Sequence, residues 1–187
     1  MRVINKWTKL KEEDVSPSKW FPISRHTIKL PSGGIVDDYF ISPMGDVVMI
    51  LPFTEDGNII LVRQYKYGVD EVIIELPAGY QQKNKTLEET AVVELNEETE
   101  IKIETNKLKP IDYFIDSPTK IRSKTFGYLA DNLTFNSKQN LEITEDIEIL
   151  IINPLEVLRM IRDGQIWAST SVALIMKSYL LFLELFK

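Results

Sequence analysis

Three apolar runs in close succession constrain this chain most: VVMILPF at 47–53, IILVRQY at 59–65 and EVIIELP at 71–77. They are rich in β-branched residues, and Glu55-Asp56-Gly57-Asn58 places a hairpin signal between the first two. The third ends in Pro77-Ala78-Gly79. Further strands are expected near 101–104, 110–115, 124–130 and 146–152. Asn153, Pro154 and Gly164 bracket a helix with its cap, first turn and stop. A last helix is expected from about Ser169 almost to the C-terminus. Residues 1–45 carry Trp7, Trp20, Phe21 and a Pro31-Ser32-Gly33-Gly34 turn. They read as an arm of short strands, because those aromatics need burial. Strands mixed with a few separated helices imply an α+β chain, an α/β/α sandwich behind a β-rich arm. The expected division is 1–45 and 46–187.

Composition excludes several chemistries. The 187 residues include no Cys and one His, His26. Disulfides, zinc-thiolate sites and cysteine nucleophiles are therefore absent, and a histidine-based triad has little material. His26 reads as structural or solvated. The net charge of −6 disfavours nonspecific binding to nucleic acid or anionic lipid. The apolar C-terminal stretch SVALIMKSYLLFLELF is interrupted by Lys177, Ser178 and Glu184, so a buried helix is expected instead of a membrane span. With no apolar h-region in MRVINKWTKLKEED, the expectation is a cytoplasmic protein.

The acid is not spread evenly. Residues 86–100 hold Glu88, Glu89, Glu94, Glu97, Glu98 and Glu100 with no base, which equals the whole net charge; the rest of the chain balances. Thr86-Leu87-Glu88-Glu89 matches a capping box, so a helix is expected from 87 to 99. At about 100° per residue, Leu87, Ala91, Val92 and Leu95 share one side. Glu94, Glu97 and Glu98 share an adjoining sector, with Glu98 at the apolar edge near Leu87. Two readings stand at this point: a solvated acidic face, or oxygen ligands for Mg²⁺ or Mn²⁺.

The surrounding residues resemble the Nudix box, which runs Gly, five residues, Glu, seven residues, Arg-Glu, an aliphatic residue, any residue, Glu-Glu, any residue, Gly and an aliphatic residue. Gly79, Glu94, Leu95, Glu97, Glu98 and Ile101 stand where that pattern asks. Lys85, Val93 and Glu100 replace its first Glu, its Arg and its second Gly. The flanks are similar to the ADP-ribose pyrophosphatase-like branch over roughly 20–180. Leu61-Val62-Arg63-Gln64-Tyr65-Lys66, Ser117-Pro118, Glu145-Asp146-Ile147-Glu148 and Gly164-Gln165-Ile166 carry this likeness.

The resemblance implies a Nudix-like mixed sheet and metal-dependent hydrolysis of the pyrophosphate bond in ADP-ribose or a related nucleoside diphosphate sugar. The alternative it leaves is a catalytically weak or inactive module that binds a nucleotide or partner protein. Implied metal ligands are Glu94, Glu97 and Glu98 with the carbonyl of Ala78, and Glu97 or Glu98 could instead position the water. Glu142 and Glu145 are the candidates for a catalytic base from the loop before the last strand. Arg63, Glu75, Lys120 and Arg122 are the substrate-binding candidates; a solvated surface role is the alternative for each. Tyr65, Tyr80 and Phe114 are base-stacking or core residues. Loss of the Lys85 and Val93 positions as an acid–base pair is expected to lower metal affinity and rate by roughly 10–100-fold. The branch also implies a homodimer that exchanges the N-terminal arm, with Trp20 and Phe21 as anchors.

Overall fold

The two first apolar runs form adjacent strands whose side chains divide between two cores. A computed structural model describes residues 3–135 and 147–187. By contact, Met1–Gly45 with Ile115–Ser123 makes one compact unit, and Asp46–Phe114 with Lys124–Lys187 makes another. Ile115–Ser123, expected with the second part of the chain, thus belongs to the first.

In the larger unit, β4 (Val47–Thr54) turns into β5 (Ile59–Lys66), with Phe53 opposite Ile59. Around them lie β6 (Glu71–Glu75), β7 (Ala78–Tyr80), β8 (Lys109–Phe114), β9 (Thr125–Leu133) and β10 (Ile147–Ile152). The sheet order is β10-β5-β4-β9-β8, with β6 on β5 and β7 on β4. The pairing of β4 with β9 is parallel, whereas β5, β7, β8 and β10 pair antiparallel with their neighbours. This is the mixed sheet expected.

Three helices cover it: α1 (Leu87–Thr99), α2 (Pro154–Arg162) and α3 (Ser169–Leu181). Met49, Leu51, Phe53, Ile59 and Leu61 pack with Val157, Met160, Leu174 and Ile175 of α2 and α3. Their strand neighbours Val48, Ile50 and Ile60 pack with Ala91 and Leu95 of α1. Because successive strand residues point to opposite faces, uninterrupted apolar runs are what a sheet covered on both sides requires. The three layers of the expected sandwich follow from that alternation.

The predicted start and stop of α2 are built as the sequence implies. The Asn153 side chain accepts from the Leu155 amide, and Pro154 opens α2. Gly164 ends it at φ +75°, where its amide donates to Ile161 O and that of Gln165 to Met160 O. This pair of bonds is a Schellman motif, which needs a left-handed residue. The end of α3 differs from expectation: it stops at Leu181. Phe182 leaves helical geometry, and a 3₁₀ turn at Leu183–Leu185 returns Phe186 to the core. There it packs edge-on against Phe53 and Tyr179, each at 5.4 Å between ring centroids. Among the described residues, no helix is long and apolar enough to cross a membrane.

The strand expected near 101–104 is not formed. Glu100, at φ 60°, caps α1 in the left-handed region and turns the chain away from the helix. Ile101, Ile103 and Leu108 then join the core beneath α1, so their apolar surface is satisfied without a ladder partner. An L-residue in this conformation costs roughly 1 kcal/mol that glycine would avoid.

The smaller unit is a three-stranded antiparallel sheet in the order β1-β2-β3, formed by Thr8–Asp14, Ser24–Lys29 and Ile35–Ile41. Its aromatics correct the burial expectation, because Trp7, Trp20 and Phe21 are 53%, 79% and 53% exposed. Strand pairing, not aromatic burial within the chain, orders this arm. His26 is buried, with Nε2 standing 3.3 Å from a Glu12 carboxylate oxygen, and so is structural.

Candidate active site

Strand β6 ends where its backbone changes partners. The Leu76 amide donates to Ser171 Oγ of α3 at 3.1 Å, and Pro77 O accepts from the Ile50 amide at 3.0 Å. Pro77 has no amide with which to continue the ladder. The chain then enters β7, where Ala78 pairs with Met49 and Gly79 with Val48. After the loop, α1 opens on the predicted capping box: the Glu89 amide donates to Thr86 Oγ1 at 3.1 Å, and the Thr86 amide to Glu89 Oε2 at 2.7 Å.

The acidic face of α1 meets this loop at two points. Glu98 is 5% exposed, and its Oε2 accepts the Ala78 amide at 3.0 Å. Burial pushes its carboxyl up to about 8; the Ala78 amide and Lys66 oppose that rise, and Glu75 and Glu94 add to it. Glu94 lies across Gly79, so a Cβ at Gly79 would overlap its carboxylate. One Glu94 oxygen, Oε1, accepts from Gln82 Nε2 at 3.1 Å. Lys85 Nζ in turn donates to Gln82 Oε1. Across the loop, Glu75 Oε1 accepts from Gln64 Nε2 at 2.9 Å and pairs with Lys66 Nζ at 3.0 Å.

The structure therefore brings together Glu75, Ala78, Glu94 and Glu98, with Glu97 exposed on the same helix. Arg63 does not join them. Strand alternation sends it to the face opposite Gln64 and Lys66, where it pairs with Glu148 of β10 at 2.7 Å. Lys120 and Arg122 belong to the smaller unit. There Lys120 Nζ lies 4.2 Å from the Tyr39 ring centroid, and the Arg122 amide donates to Ser42 O at 2.8 Å. Glu142 and Glu145 lie outside the described residues. Tyr65 and Tyr80 are exposed, whereas Phe114 packs on the core beneath α2 and α3.

Sequence reasoning missed Gln64, Lys66 and Gln82. The first two were accessible from the two-residue strand period, since Val62 opposite Glu75 puts 62, 64 and 66 on one face. Gln82 sits in a loop with no periodicity to reveal it.

Among the described residues, no three Asp, Glu or His side chains are gathered at metal-ligating spacing. The donor chemistry nonetheless fits a hard divalent cation: Glu98 is desolvated with two like charges near it, an arrangement a cation would relieve.

Comparison with known proteins decides the family. A family model described as the NUDIX domain matches residues 43–164, more than half of the 187-residue chain. The chain belongs to the Nudix family. A second model, described as the nucleoside diphosphate sugar hydrolase N-terminal domain, matches residues 7–42. An ADP-ribose pyrophosphatase of Bacillus subtilis (strain 168) is 27% identical over 165 residues, covering 87% of this chain and 88% of that protein. A methanol dehydrogenase activator of Bacillus methanolicus is 25% identical over 166 residues, 87% of each chain. The crystal structure of an ADP compounds hydrolase shares the fold, with a TM-score of 0.84 at 21% identity over 98% of both chains. In this Nudix chain, two of the three departures from the box have visible local solutions: Lys85 bonds Gln82, and Glu100 adopts the left-handed cap itself.

Proposed function

We propose that this Nudix protein hydrolyses the pyrophosphate bond of ADP-ribose or a related nucleoside diphosphate sugar, with Mg²⁺ or Mn²⁺ as cofactor. The observation that carries this reading is the buried Glu98 on the Ala78 amide, with Glu94 folded across Gly79 beside it. The match to a nucleoside diphosphate sugar hydrolase N-terminal model and the likeness to an ADP-ribose pyrophosphatase support the substrate class.

Glu94, Glu97 and Glu98, with the Ala78 carbonyl, would hold the cation. When bound, it supplies charge neutralisation for the diphosphate and acidifies water at the site. The chain's own groups do the rest. The Ala78 amide and the α1 backbone fix Glu98, while Gln82 fixes Glu94. Lys66 is the base on the carboxylate face of β5, and we assign it, ahead of Arg63, to meet substrate phosphate oxygens. As the alternative to ligating the cation, exposed Glu97 would accept a proton from attacking water, with Glu142 and Glu145 as the other candidate bases. Attack at phosphorus breaks one P–O bond of the bridge, so ADP-ribose and water yield AMP and ribose 5-phosphate.

The test is turnover of ADP-ribose and a panel of nucleotide sugars with Mg²⁺ or Mn²⁺. The wild type should hydrolyse at least one, and Glu97→Gln and Glu98→Gln should each lose about 100-fold or more. Turnover persisting in both variants would remove the site assignment. A second reading, a nucleotide- or partner-binding module with little turnover, is favoured by Lys85 and Val93 at the box's paired positions and by the relative that is a methanol dehydrogenase activator. Ligand-dependent thermal stabilisation without hydrolysis of any substrate would support it.

Homodimerisation through the smaller unit belongs to the same proposal, with exposed Trp20 and Phe21 as anchors. Sedimentation should then give twice the 21.6 kDa chain mass, and Trp20→Ser with Phe21→Ser should return it to the single-chain value.

A further inference from the structure

The carboxylate of Glu94 is held by a chain of side chains that begins at a cation. Gln82 Nε2 donates to Glu94 Oε1 at 3.1 Å, and Lys85 Nζ donates to Gln82 Oε1. These two contacts orient the amide: its oxygen must face the ammonium and its nitrogen the carboxylate. The loop itself is anchored to α1. The Gln82 amide donates to Thr90 Oγ1 at 3.2 Å, Thr90 Oγ1 donates to Thr86 O at 2.9 Å, and Gln81 Nε2 reaches Lys85 O at 3.3 Å. Gln82 and Lys85 are both half-buried, so neither is a freely solvated surface group.

We infer that Lys85 and Gln82 form a positioning relay that aims Glu94 at a divalent cation while keeping the lysine charge one side chain away from it. The arrangement solves a conflict of charge. A lysine paired directly with Glu94 would fix the carboxylate but compete with a metal for it. Interposing a neutral amide keeps the orientation without pairing the ammonium directly with the carboxylate. The ammonium polarises the amide, strengthening the N–H bond to the carboxylate, as linked hydrogen bonds reinforce one another. The inference rests on the metal-dependent reading above, and it assigns a function to Lys85, a residue by which the chain departs from the family pattern.

The sign of one effect distinguishes the relay from simple electrostatics. If Lys85 acted only as a nearby positive charge, Lys85→Met would tighten binding of a dication by removing repulsion. The relay requires the reverse. Titration of the full chain with Mn²⁺, followed calorimetrically and without substrate, should show Gln82→Ala weakening binding about tenfold. Lys85→Met should weaken it several-fold, and should add nothing in the Gln82→Ala background. In turnover assays, the Mn²⁺ concentration for half-maximal activity should rise in both variants, and more in Gln82→Ala than in Lys85→Met.

Unchanged or tighter Mn²⁺ binding by Lys85→Met, with wild-type binding and turnover intact, overturns the relay and leaves the proposed activity standing. Additive effects of the two substitutions overturn it as well. A wild type that neither binds Mn²⁺ nor hydrolyses any nucleoside diphosphate overturns both readings together.

Discussion

Stripped of divalent ions by a chelator, the wild-type protein should lose stability steadily between about pH 4.5 and pH 8, and Glu98→Gln should not share that loss. The folded carboxyl of Glu98 is pushed up to about 8 by burial, against an ordinary value of 4.5. Between those values the unfolded chain has released this proton while the folded chain still holds it. The folded state therefore binds more protons, and stability falls as pH rises, by about 1.4 kcal/mol per pH unit. The component is fully present below pH 4.5 and exhausted above about pH 8. Over the whole window it is on the order of 3–5 kcal/mol. Glutamine keeps an oxygen to accept the Ala78 amide but carries no charge to desolvate. Urea unfolding at pH 5, 6.5 and 8 should thus show the variant gaining on the wild type at each step. Excess Mn²⁺ at pH 8 should reverse the order by stabilising the wild type and releasing protons. A stability difference that does not change with pH would refute this account of Glu98.

Glu98 also shows how far the sequence carries. Its place at the apolar edge of α1 follows from rotation of about 100° per residue, and so does its proximity to the core. The capping box, the Asn153–Pro154 start and the Gly164 stop were legible for the same reason: each is a local pattern whose partners lie within one helical turn. The sandwich followed from strands mixed with a few separated helices. Misreadings arose where a residue's partner is distant in sequence. Ile101 and Ile103 alternate as a strand would, but the left-handed Glu100 directs them into a core built from β4 and β9. Ile115–Ser123 joins the smaller unit through contacts such as the Tyr39 hydroxyl on Thr119 O, 80 residues apart. Arg63 suits phosphate by residue type and by the likeness of its segment, while its position beside Gln64 puts it on the face opposite Glu75. The side chains around Glu94 were the least accessible, because the orientation of a loop glutamine is set by three-dimensional packing alone.

Gly79→Ala should lower hydrolysis of the preferred nucleoside diphosphate substrate about 100-fold while leaving the fold intact. A methyl group at this position would occupy the space where the Glu94 carboxylate rests. Gly79 is not among the glycines at positive φ, so alanine meets no backbone penalty there. What must yield is the far end of a flexible side chain, which can rotate away at small cost. The displaced carboxylate then leaves Gln82 and its place beside Glu98. Misplacing a group in such a constellation by about 1 Å is enough for a loss of this size. The melting temperature should change little, since replacing glycine removes freedom from the unfolded chain and offsets the local adjustment. The Mn²⁺ concentration for half-maximal activity should rise, because the substitution acts on a carboxylate assigned to the cation. In a Glu94→Ala background, Gly79→Ala should cost almost nothing further, as the side chain it displaces is gone. Wild-type turnover in Gly79→Ala, or a full additional loss in the double variant, would show that the close approach of Glu94 to Gly79 does not serve catalysis.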